Sequence, residues 1–440
     1  MFHNRISRRR RRSGLLRNAD FVNLWAAESI SQFGAQITLL ALPLAAAISL
    51  DASAGQMGVL AAAGTLPVLL FGLFAGVWVD RLRRRPLLIA ADIGRAALLL
   101  IVPLAWYVGA LRIELLFVVA FLVGVLTVVF DVAYLSYLPS LVARDDIIDA
   151  NSKLQASVST AQVVGPGLAG VLVGWITAPW AILVQSFTFL ASALFIGRIR
   201  APEPAPHPAA RADAVRASIA EGVRVVWNHR LLRPMVLSAS GSSFFGYVFL
   251  AVYVLYMVRD LGFSPGAVGL VLGLGGVGAL IGALLAAPLA QRIGVGPSIV
   301  LGRALFGVGG LAVVAAFSVP GYEVQLVLFA EFFQWLVLVV ADVNQVSLRQ
   351  AAVPARLLGR VTATFRFAAA GVIPLGSLAG GLLGDLVGLR GTLLVGVFGM
   401  LLACLFVVFS PLRGLRTLPD DEHQPAAQAV VDSERVTLNA

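Results

Sequence analysis

Twelve long apolar runs constrain this chain more than any other feature of its sequence. A helix that spans a bilayer takes about 20 apolar residues, and its backbone groups must be hydrogen-bonded within the segment. The runs therefore predict an all-α integral membrane protein with twelve transmembrane helices. They lie near residues 21–48, 56–79, 86–108, 114–138, 154–176, 180–197, 234–258, 264–290, 297–319, 324–348, 360–386 and 391–411.

The composition excludes a water-soluble fold. Of 440 residues, 59% are apolar and 13% charged, against about 45–50% and 25% in soluble domains. The net charge of +10 fits either cytoplasmic loops rich in Lys and Arg or nucleic-acid binding through residues 8–12. We favour the loops and expect no nucleic-acid partner, because no soluble domain follows that basic run.

The basic residues predict the orientation. With twelve spans, 27 of the 33 Lys and Arg residues fall on the side that carries both chain ends, and 3 fall on the other side. Cytoplasmic loops collect such residues. We therefore expect a multi-pass protein of the cell membrane, the inner membrane of a bacterium, with both termini in the cytoplasm.

An internal repeat indicates two parallel six-helix bundles. Asp131-Val132 and Asp342-Val343 match at an offset of 211 residues, and Arg95 and Arg303 match at 208. Such duplication is typical of transporters whose halves rock about a central binding site, and a monomer would suffice. The predicted domains are a basic tail (1–19), a first bundle (20–198), a linker with an amphipathic helix (199–233), a second bundle (234–411) and a disordered tail (412–440).

The loop after the second span reads GVWVDRLRRR over residues 76–85. It resembles the loop motif of the major facilitator superfamily, Gly-x-x-x-Asp-Arg-x-Gly-Arg-Arg, except that Arg83 replaces a glycine. In that family the loop locks the cytoplasmic side, although a plain positively charged anchor would carry the same arginines. The resemblance implies a gating loop formed by Gly76, Asp80, Arg81, Arg84 and Arg85.

Two further segments resemble one branch of that superfamily. Residues 130–170 and 342–360 are similar to drug:proton antiporters, a branch that includes macrolide efflux proteins and siderophore (enterobactin) exporters. Gly165-Pro166 partly matches the antiporter motif of the fifth span. The resemblance implies a secondary transporter that exports drugs or similar amphipathic molecules in exchange for protons. Two alternatives stay open: the protein exports one specific metabolite such as a siderophore, or it is a membrane sensor that transports nothing.

Charged residues inside the spans are functional candidates, because a charge deep in a bilayer is costly. Arg95 and Asp131 lie at matched depth on neighbouring spans, as do Arg303 and Asp342. The match predicts two symmetric Arg–Asp pairs with a structural or gating role.

Glu331 is a candidate for proton coupling. It lies in the tenth span beside aromatic residues, where desolvation favours its protonated form. We expect Glu331, together with Glu28 in the first span, to couple proton entry to export. The alternative is that Glu331 is a neutral acid that is hydrogen-bonded to a neighbouring helix.

Polar and aromatic side chains within the spans suggest a lining for a bulky amphipathic ligand. No set of His, Lys or Cys residues at membrane depth supports an enzyme, and we expect no cofactor and no metal site. The lining candidates are Gln32, Gln36, Gln185, Phe244, Phe245, Gln334 and Trp335.

Overall fold

The computed structural model of the protein describes residues 14–79, 82–203 and 212–418, and for residues 73–77 and 212–219 the backbone alone. Its long elements are α helices, numbered α1 to α13 here. They are Ala19–Leu44, Ala54–Val79, Arg84–Tyr107, Ile113–Leu141, Ile147–Ile176, Ala178–Gly197, Ala212–Asn228, Leu232–Arg259, Pro265–Ile293, Val295–Ala315, Glu323–Ala352, Ala355–Gly371 and Ile373–Val408.

Twelve crossings follow from these helices. Within the described residues, eleven helical segments are long and apolar enough to span a membrane, and the last of them, Ala355–Val408, has 54 residues. At 1.5 Å per residue it would be about 80 Å long, far more than one bilayer. Gly388 breaks it with φ +79° and ψ 169°. This segment therefore supplies two spans, and the predicted all-α fold is confirmed.

An even number of crossings places residues 14 and 418, where the described part of the chain begins and ends, on one side of the membrane. We call that side the terminal face and the other side the opposite face. α1 to α6 form the first half of the molecule and α8 to α13 the second, with α7 between them.

Repeat-related residues begin the two halves. Asn18 Oδ1 accepts from the backbone N–H groups of Asp20 and Phe21 at 3.1 and 3.2 Å. His229, which lies 211 residues later, accepts through Nδ1 from Leu231 and Leu232 at 3.2 and 3.4 Å. Both side chains thus satisfy N–H groups that a helix start leaves without a backbone partner.

Helix packing repeats between the halves. α1 packs on α6 as α8 packs on α13, α2 packs on α4 as α9 packs on α11, and α3 packs on α4 as α10 packs on α11. The chain therefore builds one six-helix arrangement twice, as the repeat predicts.

The halves meet along two helix pairs, α2 with α13 and α5 with α9. A Cβ atom on Gly58 would lie 2.6 Å from the Cα of Gly381, and one on Gly170 would lie 2.7 Å from the Cα of Gly269. No side chain fits between backbones this close, so glycine is needed at both crossings.

The chain is ordered further at its C-terminal end than the sequence predicts. Residues 411–414 form a 3₁₀ turn in which Leu412 is buried. The carbonyls of Leu415 and Arg416 accept from Gly296 and Val295 at 2.8 and 3.3 Å. The predicted disorder from residue 412 is wrong for this segment, because the start of α10 needs hydrogen-bond acceptors.

The amphipathic helix of the linker is α7. Glu221 pairs with Arg360 of α12, and a Cβ on Gly222 would lie 2.8 Å from the Arg360 carbonyl oxygen. The helix thus packs on the second half. Residues 1–13, 204–211 and 419–440, which include most of both predicted tails and the proline-rich part of the linker, lie outside the described residues.

Candidate functional site

A cavity of about 280 Å³ lies inside the first half, between α1, α3, α4 and α6. It brings together Glu28, Gln32 and Gln185 with Arg95 and Asp131, which come from four helices. We call it the polar cavity. It is lined by Glu28, Ser31, Gln32, Ala35, Thr38, Arg95, Leu99, Val123, Thr127, Phe130, Asp131, Gln185 and Phe189.

Arg95 forms its ion pair within its own helix. Its Nη2 atom donates to Asp92 Oδ1 at 2.5 Å, and both side chains are almost fully buried. The rings of Phe130 and Phe189 lie on the guanidinium, each with its centroid 4.2 Å from Cζ. The cation is thus held by one carboxylate and two aromatic faces.

The predicted pair of Arg95 with Asp131 is therefore corrected. Asp131 lines the same cavity, but the ion pair of Arg95 is with Asp92, three residues earlier on α3. Residues three apart on a helix lie on one face, so Asp92 reaches the guanidinium without crossing to α4.

The charges of the polar cavity do not balance. Arg95 is the one cation among the described residues that line it, and Asp92 already pairs with it. Glu28 and Asp131 remain, and Glu28 accepts from Gln32 Nε2 at 2.7 Å. Glu28 is 6% exposed, whereas Asp131 is exposed. Glu28 must therefore be protonated or else face a cation, since an uncompensated buried charge is costly.

Two buried oxygens of the polar cavity are free to accept hydrogen bonds. Thr38 Oγ1 and Gln185 Oε1 have no partner among the described residues. Buried polar atoms are normally hydrogen-bonded, so these two atoms suit a bound molecule or water. Gln185, which the sequence offers as a lining candidate, is one of the residues that line this cavity.

The second half pairs its arginine across helices. Arg303 Nη2 on α10 donates to Asp342 Oδ1 on α11 at 2.5 Å and to Gln345 Oε1 at 3.1 Å. The structure thus joins the two residues that the repeat relates to Arg95 and Asp131. Position 300, the repeat equivalent of Asp92, is a valine, and it offers Arg303 no partner on its own helix.

Glu331 is buried and bonded from two helices. Tyr253 on α8 donates its hydroxyl to Oε2 at 2.8 Å, and Trp335 donates its indole N–H to Oε1 at 2.8 Å. Gly275 of α9 lies against the same side chain, because a Cβ there would be 3.1 Å from Glu331 Cγ. The sequence does not identify Tyr253 as a partner of Glu331. Its only signal there is that a tyrosine lies in an apolar span.

The other predicted lining residues make helix contacts. Gln334 donates to the Phe306 carbonyl of α10 at 3.0 Å, and Gln36 lies against Gly165 of α5. Phe244 and Phe245 form an edge-to-face pair with centroids 5.1 Å apart and pack on α13 at Gly376 and Gly399.

The predicted gating loop is described in part. Gly76 lies near the end of α2, and Asp80 and Arg81 lie outside the described residues. Glu203, at the start of the linker, accepts from the backbone N–H groups of Arg84 and Arg85. The Arg85 guanidinium donates to the carbonyls of Ile196 and Gly197 at 3.3 and 2.5 Å. The hydrogen bonds of both arginines are thus to residues of the first half and of the linker that follows it.

Polar contacts join the two halves at the opposite face. Asp51, in the loop after α1, forms an ion pair with Arg259 at the end of α8. Asp51 has φ +49°, a left-handed conformation that Asp tolerates better than most residues. Ser53 Oγ lies 3.5 Å from Asp385 Oδ2 of α13. We call the Asp51–Arg259 pair the opposite-face bridge. Sequence alone does not predict it, because the two residues lie 208 positions apart in the chain.

Comparisons with known proteins agree with this architecture. A family model described as "Transmembrane secretion effector" matches residues 13–438. The chain is 31% identical over 386 residues to the multidrug efflux pump Tap of Mycobacterium tuberculosis, covering 84% of this chain and 87% of that protein. It is 29% identical over 385 residues to Tap of Mycolicibacterium fortuitum, covering 86% and 92%.

Solved structures share the fold. A bacterial homologue of the iron transporter ferroportin in its inward-facing state matches with a TM-score of 0.71. The two chains are 17% identical, and the match covers 90% of this chain and 98% of the other.

Proposed function

Because the chain belongs to the transmembrane secretion effector family of the major facilitator superfamily, we propose that it exports drugs or similar amphipathic molecules in exchange for protons. The membership confirms the prediction of a membrane transporter rather than an enzyme. The relatives named Tap are multidrug efflux pumps, which supports export over uptake.

The buried carboxyl of Glu331 is the observation on which proton coupling depends. It is 5% exposed and accepts from Tyr253 and Trp335, both neutral donors. Hydrogen bonds to both oxygens favour the carboxylate, whereas burial without a cation favours the neutral acid. A group in such a balance can bind a proton in one conformation and release it in another.

Alternating access is the proposed mode of transport. The halves touch at the opposite face through the Asp51–Arg259 bridge and through close glycine crossings. If the basic terminal face is cytoplasmic, this conformation is closed toward the outside, and export requires these contacts to separate. We propose that the two bundles move relative to each other while the linker that contains α7 joins them. The proposed location is the bacterial cell membrane.

The polar cavity is the proposed site for a polar group of the transported molecule. Glu28, Gln185 and Thr38 offer acceptors there, and Leu99, Val123 and Phe189 offer apolar contacts. An amphipathic molecule needs this combination. Glu28 is also placed to exchange a proton when such a molecule binds.

The test uses purified protein in liposomes, ethidium as the probe and an imposed pH gradient. The wild type is expected to accumulate ethidium while the gradient lasts, and Glu331→Gln is expected to lose this pH-driven accumulation. Glu323→Gln, which changes a glutamate at the loop end of the same helix, is the matched control and is expected to behave as the wild type.

Two outcomes would overturn parts of this proposal. Undiminished pH-driven transport by Glu331→Gln would remove Glu331 from the coupling. A wild type that moves no member of a dye panel would favour the alternative of one specific metabolite.

A further inference from the structure

The last two turns of α8 connect the Glu331 carboxyl to the opposite-face bridge. Tyr253 donates to Glu331 at 2.8 Å, and Arg259, six residues later, forms the ion pair with Asp51 of the first half. The two side chains start about 9 Å apart along the helix axis. We call residues 253–260 the α8 end.

Polar contacts hold the α8 end within the second half. The Tyr256 hydroxyl donates to the carbonyls of Val313 and Val314 of α10 at 3.2 and 3.4 Å. Asp260 accepts from Arg390 Nε at 3.2 Å. Leu255 and Met257 of the same segment are fully buried, so the α8 end is held by packing as well as by these polar contacts.

The chemistry of the two donors makes Tyr253 sensitive to a proton on Glu331. An indole N–H can only donate, so the oxygen that faces Trp335 must remain an acceptor. A proton on the carboxyl therefore belongs on Oε2, which faces Tyr253. A protonated oxygen is a much weaker acceptor than a carboxylate oxygen. The phenol therefore loses most of its present bond, and it turns to accept from the acid or moves away, in a site where Tyr253 is 2% exposed.

We propose that Tyr253 is the positioning residue through which a proton on Glu331 loosens the α8 end and so the Asp51–Arg259 bridge. This inference rests on the proposed role of Glu331 and adds to it the residue that carries the signal. Tyr253 acts on transport through Glu331 and through its helix.

The sign follows from linkage. Withdrawing a donor from a carboxylate favours proton binding, and a proton must then favour the conformation in which the donor is withdrawn. Acidification therefore favours the conformation with Tyr253 released and the opposite-face bridge open. Among the described residues, two groups face the Glu331 carboxyl, Tyr253 from α8 and Trp335 from its own helix. Gly275 is the residue of α9 that lies against it. Tyr256 is the next titratable group on α8.

The experiment measures opening of the opposite face directly. Spin labels are attached at Ala110→Cys and Tyr322→Cys, two exposed loop positions of the first and second half, in a Cys404→Ser background. Double electron–electron resonance then gives the open and closed populations of the full-length protein between about pH 5 and pH 9. One hydrogen bond to a charged group corresponds to about a tenfold or larger change in the population ratio.

Wild type is expected to show this change, whereas Tyr253→Phe reduces it to about threefold or less. Tyr256→Phe is the matched control, since it removes a hydroxyl that holds the same segment but does not touch Glu331. It is expected to shift the populations by the same factor at every pH and so to keep the wild-type pH dependence. Binding of ethidium in detergent verifies that each variant is folded.

The outcomes separate the two levels of the account. If Glu331→Gln abolishes the pH dependence while Tyr253→Phe matches the wild type and Tyr256→Phe, the inference about Tyr253 is overturned and the role of Glu331 stands. If Glu331→Gln retains the full pH dependence, the proposed role of Glu331 is overturned, and the inference with it.

Discussion

The two repeat-related arginines, Arg95 and Arg303, form different ion pairs in the two halves of the molecule. Arg95 pairs with Asp92 on its own helix and leaves Asp131 in a cavity, whereas Arg303 reaches across to Asp342 on the next helix. The difference follows from one position, which is Asp92 in the first half and Val300 in the second. A duplicated scaffold thus keeps both arginines and changes their partners, so that Asp131 has no ion pair with Arg95 whereas its repeat equivalent Asp342 pairs with Arg303.

The largest expected effect is from breaking the pair in the first half. Arg95→Leu leaves Asp92, whose side chain is 0% exposed, without a cation in the bundle interior. Removing one partner of a buried pair costs about 3–5 kcal/mol. Thermal unfolding of the purified variant in detergent measures the loss. A double variant, Arg95→Leu with Asp92→Leu, should recover most of it, and a double variant as unstable as the single one would contradict this account of the pair.

The matching change in the second half is expected to cost less. Arg303→Leu leaves Asp342, whose side chain is 49% exposed and can be hydrated. We expect a loss of about 1 kcal/mol, by comparison with partly exposed ion pairs. The same unfolding assay, run beside Arg95→Leu, gives the difference between the halves. Equal losses would mean that the exposure of the partner does not set the cost.

A third variant converts one half toward the other. Val300→Asp gives Arg303 a carboxylate three residues earlier on α10, as Asp92 is for Arg95. The coupling between Arg303 and Asp342 in a double-mutant cycle should then fall from about 1 kcal/mol to a few tenths. An unchanged coupling would show that the geometry of α10, rather than residue 300, determines the pairing.

The smallest effect concerns the two helix caps, Asn18 and His229. Burial lowers the pKa of His229 below its usual 6.5, and its Nδ1 atom accepts hydrogen bonds only when unprotonated. A base whose folded pKa is depressed contributes stability above its unfolded pKa and loses it as the pH falls through the folded value. Acidification below about pH 6.5 should therefore weaken this cap by about 0.5 kcal/mol.

His229→Asn, which copies the cap of the first half, should remove that part of the acid sensitivity. Unfolding measured at several pH values compares the variant with the wild type. Identical pH profiles for the two proteins would mean that the cap does not titrate in this range.

The sequence predicted the fold well because lipid leaves few choices. The apolar runs correspond to the helices observed, and the division of the last segment at Gly388 lies between the last two predicted spans. The Arg95 pairing was wrong because the offset of the repeat takes no account of a nearer partner on the same helix. Glu331 could be identified from its charge, whereas Tyr253 and the Asp51–Arg259 bridge depend on contacts between distant segments.

Dye-driven proton movement tests the central claim most directly. Liposomes containing the protein receive an ethidium gradient and no pH gradient, and a trapped pH indicator records the lumen. The account predicts that wild-type protein moves protons opposite to the dye, whereas Glu331→Gln moves the dye without moving protons. Proton movement of wild-type size in Glu331→Gln, or dye movement without protons in the wild type, would contradict it.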